Sequence, residues 1–169
     1  FAKETSVTGS FLYRNSDRNN ESENTTSGYN DIDELLNTSL RNEYETSDGN
    51  VYQFDFNFLH NFKKDGHKLD VDFQYQDNSR LENSLITNED IFPDETDKPS
   101  EKIINDQFQN RILIQTDYVL PMKSDHQLEL GFRMNINDQD TDYQFFNEDP
   151  DGNFIINDSL TNLFDYDEK

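Results

Sequence analysis

The sequence contains no cysteine, few basic residues and no long apolar run. With no cysteine among 169 residues, disulfides and thiolate metal sites are excluded. No apolar run approaches the roughly 18 residues that a transmembrane helix needs. Lys and Arg total 14 against 36 Asp and Glu, which gives a net charge of −22. Nucleic-acid binding requires clustered positive charge, so this balance excludes that class of partner.

The low hydropathy suggests disorder, but the aromatic content contradicts it. Mean hydropathy is −1.04 and only 31% of the residues are apolar, values typical of chains that cannot offset the entropy of ordering. However, 14 Phe and 8 Tyr make 13% of the chain aromatic. Much of the apolar content therefore consists of large aromatic side chains, and we expect them to cover one particular surface.

Apolar and polar residues alternate along several segments, which predicts β-strands rather than helices. Between residues 51–62 and 67–76 lies Asp65-Gly66, a strong hairpin signal. The same two-strand unit recurs at 108–120 and 127–137, a weaker run precedes both at 5–14, and another strand begins at 161–169. The predicted fold is all-β, with long antiparallel hairpins.

The predicted connections alternate between short turns and long polar loops. Loops are expected at 15–50, 77–106 and 138–160, and the last two are strongly acidic. Strands of about 10 residues separated by short turns at one end and long loops at the other are typical of transmembrane β-barrels. Hydropathy does not exclude such a barrel, because its strands bury only one face in lipid.

Each predicted strand has one apolar and one polar face, and we assign these to lipid and to a watery lumen. The lipid-facing residues are Tyr52, Phe54, Phe56, Phe58, Phe62, Leu69, Val71, Phe73, Tyr75, Ile112, Ile114, Tyr118, Leu128, Leu130, Phe132 and Met134. The lumen-facing polar residues are Asp55, Asn57, Asp70, Asp72, Gln74, Arg111, Gln115, Glu129 and Arg133.

Several segments resemble the barrel of TonB-dependent outer-membrane receptors, specifically the outer membrane protein beta-barrel branch common in Bacteroidota. They are TGSFLYRN at 8–15, FLHNFKKDGHKL at 58–69, QTDYVLP at 115–121, LELGFR at 128–133 and FDYDEK at 164–169. The resemblance covers most of the chain. It implies a location in the bacterial outer membrane, at the cell surface.

The resemblance also implies partners and a role. It implies a barrel of about 22 strands closed by a plug domain, which imports nutrients with energy relayed by TonB. We expect this chain to be an internal fragment of that barrel, contributing wall strands and extracellular loops. Its expected partners are the rest of the barrel, the plug domain, outer-membrane lipid, a surface lipoprotein and, through other segments, TonB.

Motifs for chemistry are sparse, and we expect neither an enzyme nor a cofactor. Asp138, Asp140 and Asp142 lie at alternate positions and are either a solvated acidic segment or a Ca²⁺ site. The three histidines, His60, His67 and His126, lie in or beside the short turns without metal-ligand spacing, so an interfacial role is expected.

A second hypothesis remains open from the sequence. A soluble secreted β-sandwich, acting as an adhesin or as a Ca²⁺- or carbohydrate-binding module, would use the aromatic face as its internal core. That arrangement requires a second sheet to cover the face.

Overall fold

The computed structural model describes residues 4–123 and 126–168, and confirms the all-β prediction. The strands are β1 (Thr5–Tyr29), β2 (Leu35–Asn61), β3 (Lys68–Phe92), β4 (Thr96–Pro121), β5 (Gln127–Glu148), β6 (Phe154–Ile156) and β7 (Asn162–Glu168). All of them belong to a single antiparallel sheet. Over these residues, no helix is long and apolar enough to cross a membrane.

The sheet is a meander in which each strand pairs with the next one in the chain. The order is β1-β2-β3-β4-β5, and both β6 and β7 pair with β5. The β4–β5 ladder runs without a bulge from Pro121↔Gln127 to Glu101↔Asn147. Pairing of consecutive strands over such lengths places all the turns at the two ends of the sheet.

A tight turn joins β2 to β3 at one end, as Asp65-Gly66 predicted. The Phe62 N–H donates to the carbonyl of His67 at 2.8 Å and closes the hairpin. Gly66 has a φ of 73°, a left-handed conformation that glycine adopts without the steric cost of a Cβ. Because this conformation is needed there, the Asp-Gly pair fixes the hairpin and its register.

The turns at the opposite end are also short, and Asn or Asp side chains hold two of them. Between β1 and β2, the Asn30 Oδ1 accepts the backbone N–H of Ile32 at 3.1 Å and of Glu34 at 2.8 Å. Between β5 and β6, the Asp149 Oδ1 accepts the N–H of Asp151 at 2.9 Å and of Asn153 at 2.8 Å. These side chains bond to backbone groups a few residues ahead and so define the turns.

The predicted loops at 15–50, 77–106 and 138–160 are wrong in their extent. Most of these residues continue the strands: β1 and β2 stay paired up to Tyr29↔Leu35, and β3 and β4 up to Asp90↔Thr96. The predicted strands at 5–14, 51–62, 67–76, 108–120 and 127–137 are largely the inner sections of β1 to β5. The predicted strand at 161–169 corresponds to β7, and residue 169 lies outside the described residues.

The error has a physical cause. Where both faces of a strand meet water, both are polar, and the two-residue alternation that reveals a strand in a sequence disappears. The backbone ladder continues regardless of that pattern, because its hydrogen bonds do not depend on side-chain polarity.

We refer below to the sections beyond Tyr13, Tyr52, Asp77, Asn110 and Asp138, away from the short β2–β3 turn, as the outer sections of β1 to β5.

The sheet has almost no internal core. Among the described residues, the buried apolar side chains are Val51, at 9% exposure, and Ile86, at 0%. With the described strands in one layer, nothing in the sheet covers its faces. The second hypothesis, a soluble β-sandwich, therefore disagrees with the structure, because a sandwich packs two sheets over a shared core.

Candidate functional site

Strand register brings the predicted apolar residues onto one face, which we call the aromatic face. One row across it consists of Phe11, Phe54, Tyr75, Ile112 and Ile136, each directly opposite the next. Because side chains alternate along a strand, every second residue shares this face. All the predicted lipid-facing residues within β2 to β5 follow this rule, and Phe62 lies just beyond β2 against Tyr118, with ring centroids 6.4 Å apart.

Aromatic pairs mark both ends of these apolar rows. At the outer end, Tyr13 and Tyr52 stack with centroids 4.9 Å apart. At the short-turn end, Phe62 stacks on His67 at 3.9 Å, and the His67 Nε2 lies 2.9 Å from the Tyr118 hydroxyl. Rings with a polar group at both limits of an apolar band are typical of the two membrane interfaces.

The height of the apolar rows matches a membrane. Residues 52–62 extend about 34 Å along the strand, and a tilt of about 40° reduces this to about 26 Å of height. The apolar band of outer-membrane barrels is about 25 Å tall.

None of the residues that the structure describes covers the aromatic face. Phe11 is 68% exposed, and Phe132 is 57% exposed. A contiguous exposed apolar surface of this kind marks an interaction site, and a lipid phase is one partner that would cover it.

The nine predicted lumen-facing residues all occupy the opposite face, which we call the polar face. The Asp55 carboxylate is the centre of one network. It accepts from the Gln74 Nε2 at 2.7 Å, from the Ser10 hydroxyl at 2.9 Å and from the Gln53 Nε2 at 3.0 Å. Three strands therefore supply donors to one carboxylate.

A second network on the polar face links adjacent acids through an amide. The Asn57 Nδ2 donates to the carboxylates of Asp70 and Asp72, in both cases at 2.8 Å. One amide thus bonds to two carboxylates that lie two residues apart on the same face of β3.

The rest of the predicted polar set lies on β4 and β5. The Arg111 Nε donates to the Asn135 Oδ1 at 3.1 Å, and the Gln115 Nε2 donates to the Asp117 carboxylate at 2.8 Å. Glu129 and Arg133 are both exposed. The polar face is thus a hydrogen-bonded, solvated surface, and it does not bring the nine residues into one pocket.

His60 and His67 lie at the short-turn end, where an interfacial role was expected. The His60 Nδ1 is 2.7 Å from the Thr5 hydroxyl, and its ring meets Phe62 edge-on at 4.4 Å. Both histidines therefore belong to the aromatic border of the apolar rows. His126 lies next to residues 124–125, which are outside the described residues.

The three aspartates considered for Ca²⁺ occupy alternate positions of β5. Asp138, Asp140 and Asp142 are therefore on the aromatic-face side, just beyond the apolar rows. Within residues 4–123 and 126–168, no group of three or more His, Cys, Asp or Glu residues is arranged to hold a metal ion.

Three arginines on the polar face lie beyond the predicted strands, in the outer sections, and were not predicted as lumen-facing: Arg18, Arg41 and Arg80. Arg14, the last residue of the predicted strand 5–14, was also absent from the predicted lumen-facing set. The alternation that places Ser10 on the polar face continues to Arg14 and Arg18. Extending the two-residue count past the last apolar residue was the signal that could have found them.

A single sheet with one lipid-matched apolar face and one hydrated face defines the chain as part of a membrane β-barrel wall. Comparison with known families agrees: residues 60–169 match the model of the outer membrane protein beta-barrel family. The chain belongs to the outer membrane protein beta-barrel family, and its location is the bacterial outer membrane. No curated protein matches the chain.

Proposed function

We propose that this chain forms wall strands and cell-surface hairpins of a TonB-dependent nutrient receptor of the Bacteroidota type. The observation that carries the proposal is the pairing of a membrane-height aromatic face with a hydrogen-bonded polar face. The family match supports the barrel, and the segments that resemble TonB-dependent receptors support the finer assignment.

The proposed role is non-enzymatic. The aromatic face contacts outer-membrane lipid, and the polar face lines the path or contacts a plug domain. Asp55, Asn57, Arg111 and Arg133 are among the residues that would meet solute or plug on that face. The proposed partners are the rest of the barrel, the plug domain, a surface lipoprotein and TonB.

The outer sections would project from the cell. From Tyr52 to Leu35 the strand continues for about 58 Å, or roughly 45 Å of height at the usual tilt. These hairpins would form a wall around the entrance, where solute is first captured.

TonB dependence is the test of the finer assignment. Growth on a panel of nutrients would be compared between the native bacterium, a strain lacking this protein and a strain lacking TonB. We expect the nutrient lost with this protein to be lost also without TonB. Uptake through this protein that persists without TonB would contradict the receptor assignment and leave a passive barrel.

A matched pair of variants ties the result to this chain. Phe56→Arg, which places a charge on the aromatic face, should reduce both the amount of folded barrel in the membrane and the growth, whereas Asn57→Arg on the polar face should retain the barrel. Growth and folded barrel that are unchanged by Phe56→Arg would contradict a lipid-facing role for that row.

A further inference from the structure

All six arginines of the chain lie on the polar face. They are distributed over β1 to β5 at Arg14, Arg18, Arg41, Arg80, Arg111 and Arg133. The lysines do not share this restriction, since Lys102 lies on the opposite side, 6.0 Å from the ring centroid of Phe146. The arginines of this very acidic chain are therefore concentrated on the face that we propose meets solute. Their guanidinium groups can bind an oxyanion through two hydrogen bonds.

Three consecutive rows of this face contain no carboxylate in β1 to β5, and we call them the arginine belt. The rows are Leu12–Gln53–Gln76–Arg111–Asn137, Arg14–Val51–Asn78–Gln109–Gln139 and Ser16–Gly49–Arg80–Gln107–Thr141. Their charged side chains are all arginine, and most of the others are amides. In a chain of net charge −22, every charged side chain of these rows within β1 to β5 is therefore positive.

The belt lies at the outer end of the apolar rows. Row Ser10–Asp55–Gln74 borders it on the membrane side, and row Arg18–Ser47–Glu82 borders it on the outer side. Solute that enters between the outer sections would therefore meet the belt before reaching the acidic network around Asp55.

A groove of about 320 Å³ lies between Arg14, Arg18 and Arg80. Gly49 and Ser16 both line this groove. A Cβ at position 49 would lie 3.0 Å from the Ser16 hydroxyl oxygen, so the absence of a side chain there leaves the groove open. Asp17 also borders the groove, but the alternation of β1 directs its side chain to the opposite face.

The groove's arginines differ in how they are held. The Arg80 Nε donates to the hydroxyl of buried Ser47 at 3.0 Å, and its guanidinium also pairs with Glu82. Among the described residues, Arg14 and Arg18 have no ion-pair partner. One guanidinium is thus fixed in place, and two others keep their bidentate donors available for a ligand.

β7 adds two aromatic rings beside the belt. Tyr166 pairs with Gln139, and Phe164 pairs with Thr141, so both continue the two outer rows. Their rings are stacked with centroids 6.4 Å apart and are exposed by 43% and 48%. The surface thereby offers guanidinium groups, amides and ring faces together.

We propose that the arginine belt, together with Arg18 at its outer border, captures an anionic solute whose carboxylate, sulfate or phosphate groups bind Arg14, Arg18 and Arg80. Guanidinium forks match the geometry of these oxyanions, and the surrounding amides can bond to neutral oxygens of the same solute. Rings of arginine in a pore wall favour anions in the same way. The inference rests on the proposed function, since it takes the polar face as the solute path.

The test uses the whole outer-membrane protein, purified in detergent, and measures binding by titration calorimetry. The probes are tetragalacturonate, its neutral methyl ester, sulfated maltotetraose and tripolyphosphate, which separate carboxylate, sulfate and phosphate. We expect at least one anionic probe to bind more tightly than the neutral one, and to lose affinity as salt is raised.

Variants locate the binding. Replacing Arg14, Arg18 and Arg80 together by Gln should weaken anion binding by at least about ten-fold. A control that replaces Lys63, Lys102 and Lys123 by Gln removes the same charge away from the belt and should leave binding unchanged. Gly49→Leu keeps every arginine but fills the groove, and should also weaken binding.

The proposal is overturned if no anionic probe binds better to the original protein than to the triple arginine variant. It is also overturned if the triple arginine variant leaves the affinity for the anionic probes unchanged and alters only the release of a plug domain. The arginines would then pair with the protein itself. Retention of heat-modifiable barrel mobility on gels shows that each variant is folded. TonB-dependent growth, measured separately in cells, distinguishes failure of this proposal from failure of the receptor assignment.

Discussion

At the scale of single residues, neighbours in the sequence occupy opposite environments. Asp55 accepts hydrogen bonds from three side chains on the polar face, whereas Phe56 belongs to the uncovered aromatic face. Consecutive residues of β2 therefore belong to opposite faces, and the effect of a substitution should depend on whether its position is even or odd.

Phe56→Arg should destabilise the folded barrel by about 2–4 kcal/mol, the usual cost of a cation on the lipid face near the midplane. Asn57→Arg should cost much less, because Asn57 faces Asp70 and Asp72, which would receive the new charge. Urea unfolding in lipid vesicles measures the difference. Equal losses for both variants would show that the two faces are not distinct.

Two hairpin ends should respond to acid in opposite directions. The pKa of Asp149 is lowered because the backbone N–H of Asn153 donates to its carboxylate, so the charged form stabilises that turn. This contribution is present above the unfolded pKa and is lost as pH falls through the lower folded value. The pKa of Glu89 is raised by partial burial and by Glu95 and Asp97, so its ionisation destabilises the β3–β4 end as pH rises.

Amide hydrogen exchange, corrected for intrinsic rates, checks this at pH 7 and at pH 3.5. Acid should speed exchange at the N–H groups of Asp151 and Asn153, and should slow it at the β3–β4 end. Asp149→Asn should reduce the acid response at the first site, with Asp151→Asn as a control of equal charge change. The same response at both hairpin ends would contradict the assignment.

At the scale of elements, the inner halves of the strands could be predicted and the outer halves could not. Residues 51–62 and 67–76 alternate because one of their faces is apolar, and Asp65-Gly66 marks the turn between them. Residues 15–29 and 78–92 carry polar side chains on most positions of both faces, so their sequence resembles a loop even though their backbones pair.

The candidate site divides in the same way. The predicted polar residues from Asp55 to Arg133 share a face because the alternation was visible around them. Arg18 and Arg80 were missed because the pattern faded before reaching them. The groove between them depends on cross-strand register, which a single sequence does not reveal.

The two ends of the hairpins should lie on opposite sides of the outer membrane. An epitope tag inserted in the β1–β2 turn at Asp31, or in the β3–β4 turn at Asp94, should bind antibody on intact cells. A tag inserted in the β2–β3 turn at Asp65 should bind only after the membrane is opened. Surface labelling at Asp65 in intact cells would contradict the orientation.

At the scale of the whole molecule, a single layer without a core requires an external apolar phase. The described residues bury very few apolar side chains, yet the aromatic face is continuous across β1 to β5. A lipid phase supplies the burial that a second sheet would supply in a soluble protein.

The overall charge has the same explanation. The value of −22 and the low mean hydropathy are averages over the aromatic face and the polar surfaces of the rest of the sheet. Acidic residues are frequent in the outer sections, and the arginines are confined to the polar face. The chain therefore resembles a disordered protein only when these surfaces are averaged.

The most direct test is a nitroxide scan of β2, which is simplified by the absence of cysteine from the chain. Single cysteines at each position from 51 to 61, in the whole protein reconstituted in lipid, would carry the spin label. Collision with oxygen, which concentrates in lipid, should peak at the even positions, and collision with a water-soluble nickel complex should peak at the odd ones. In-phase profiles, or oxygen maxima at the odd positions, would contradict the two-faced wall.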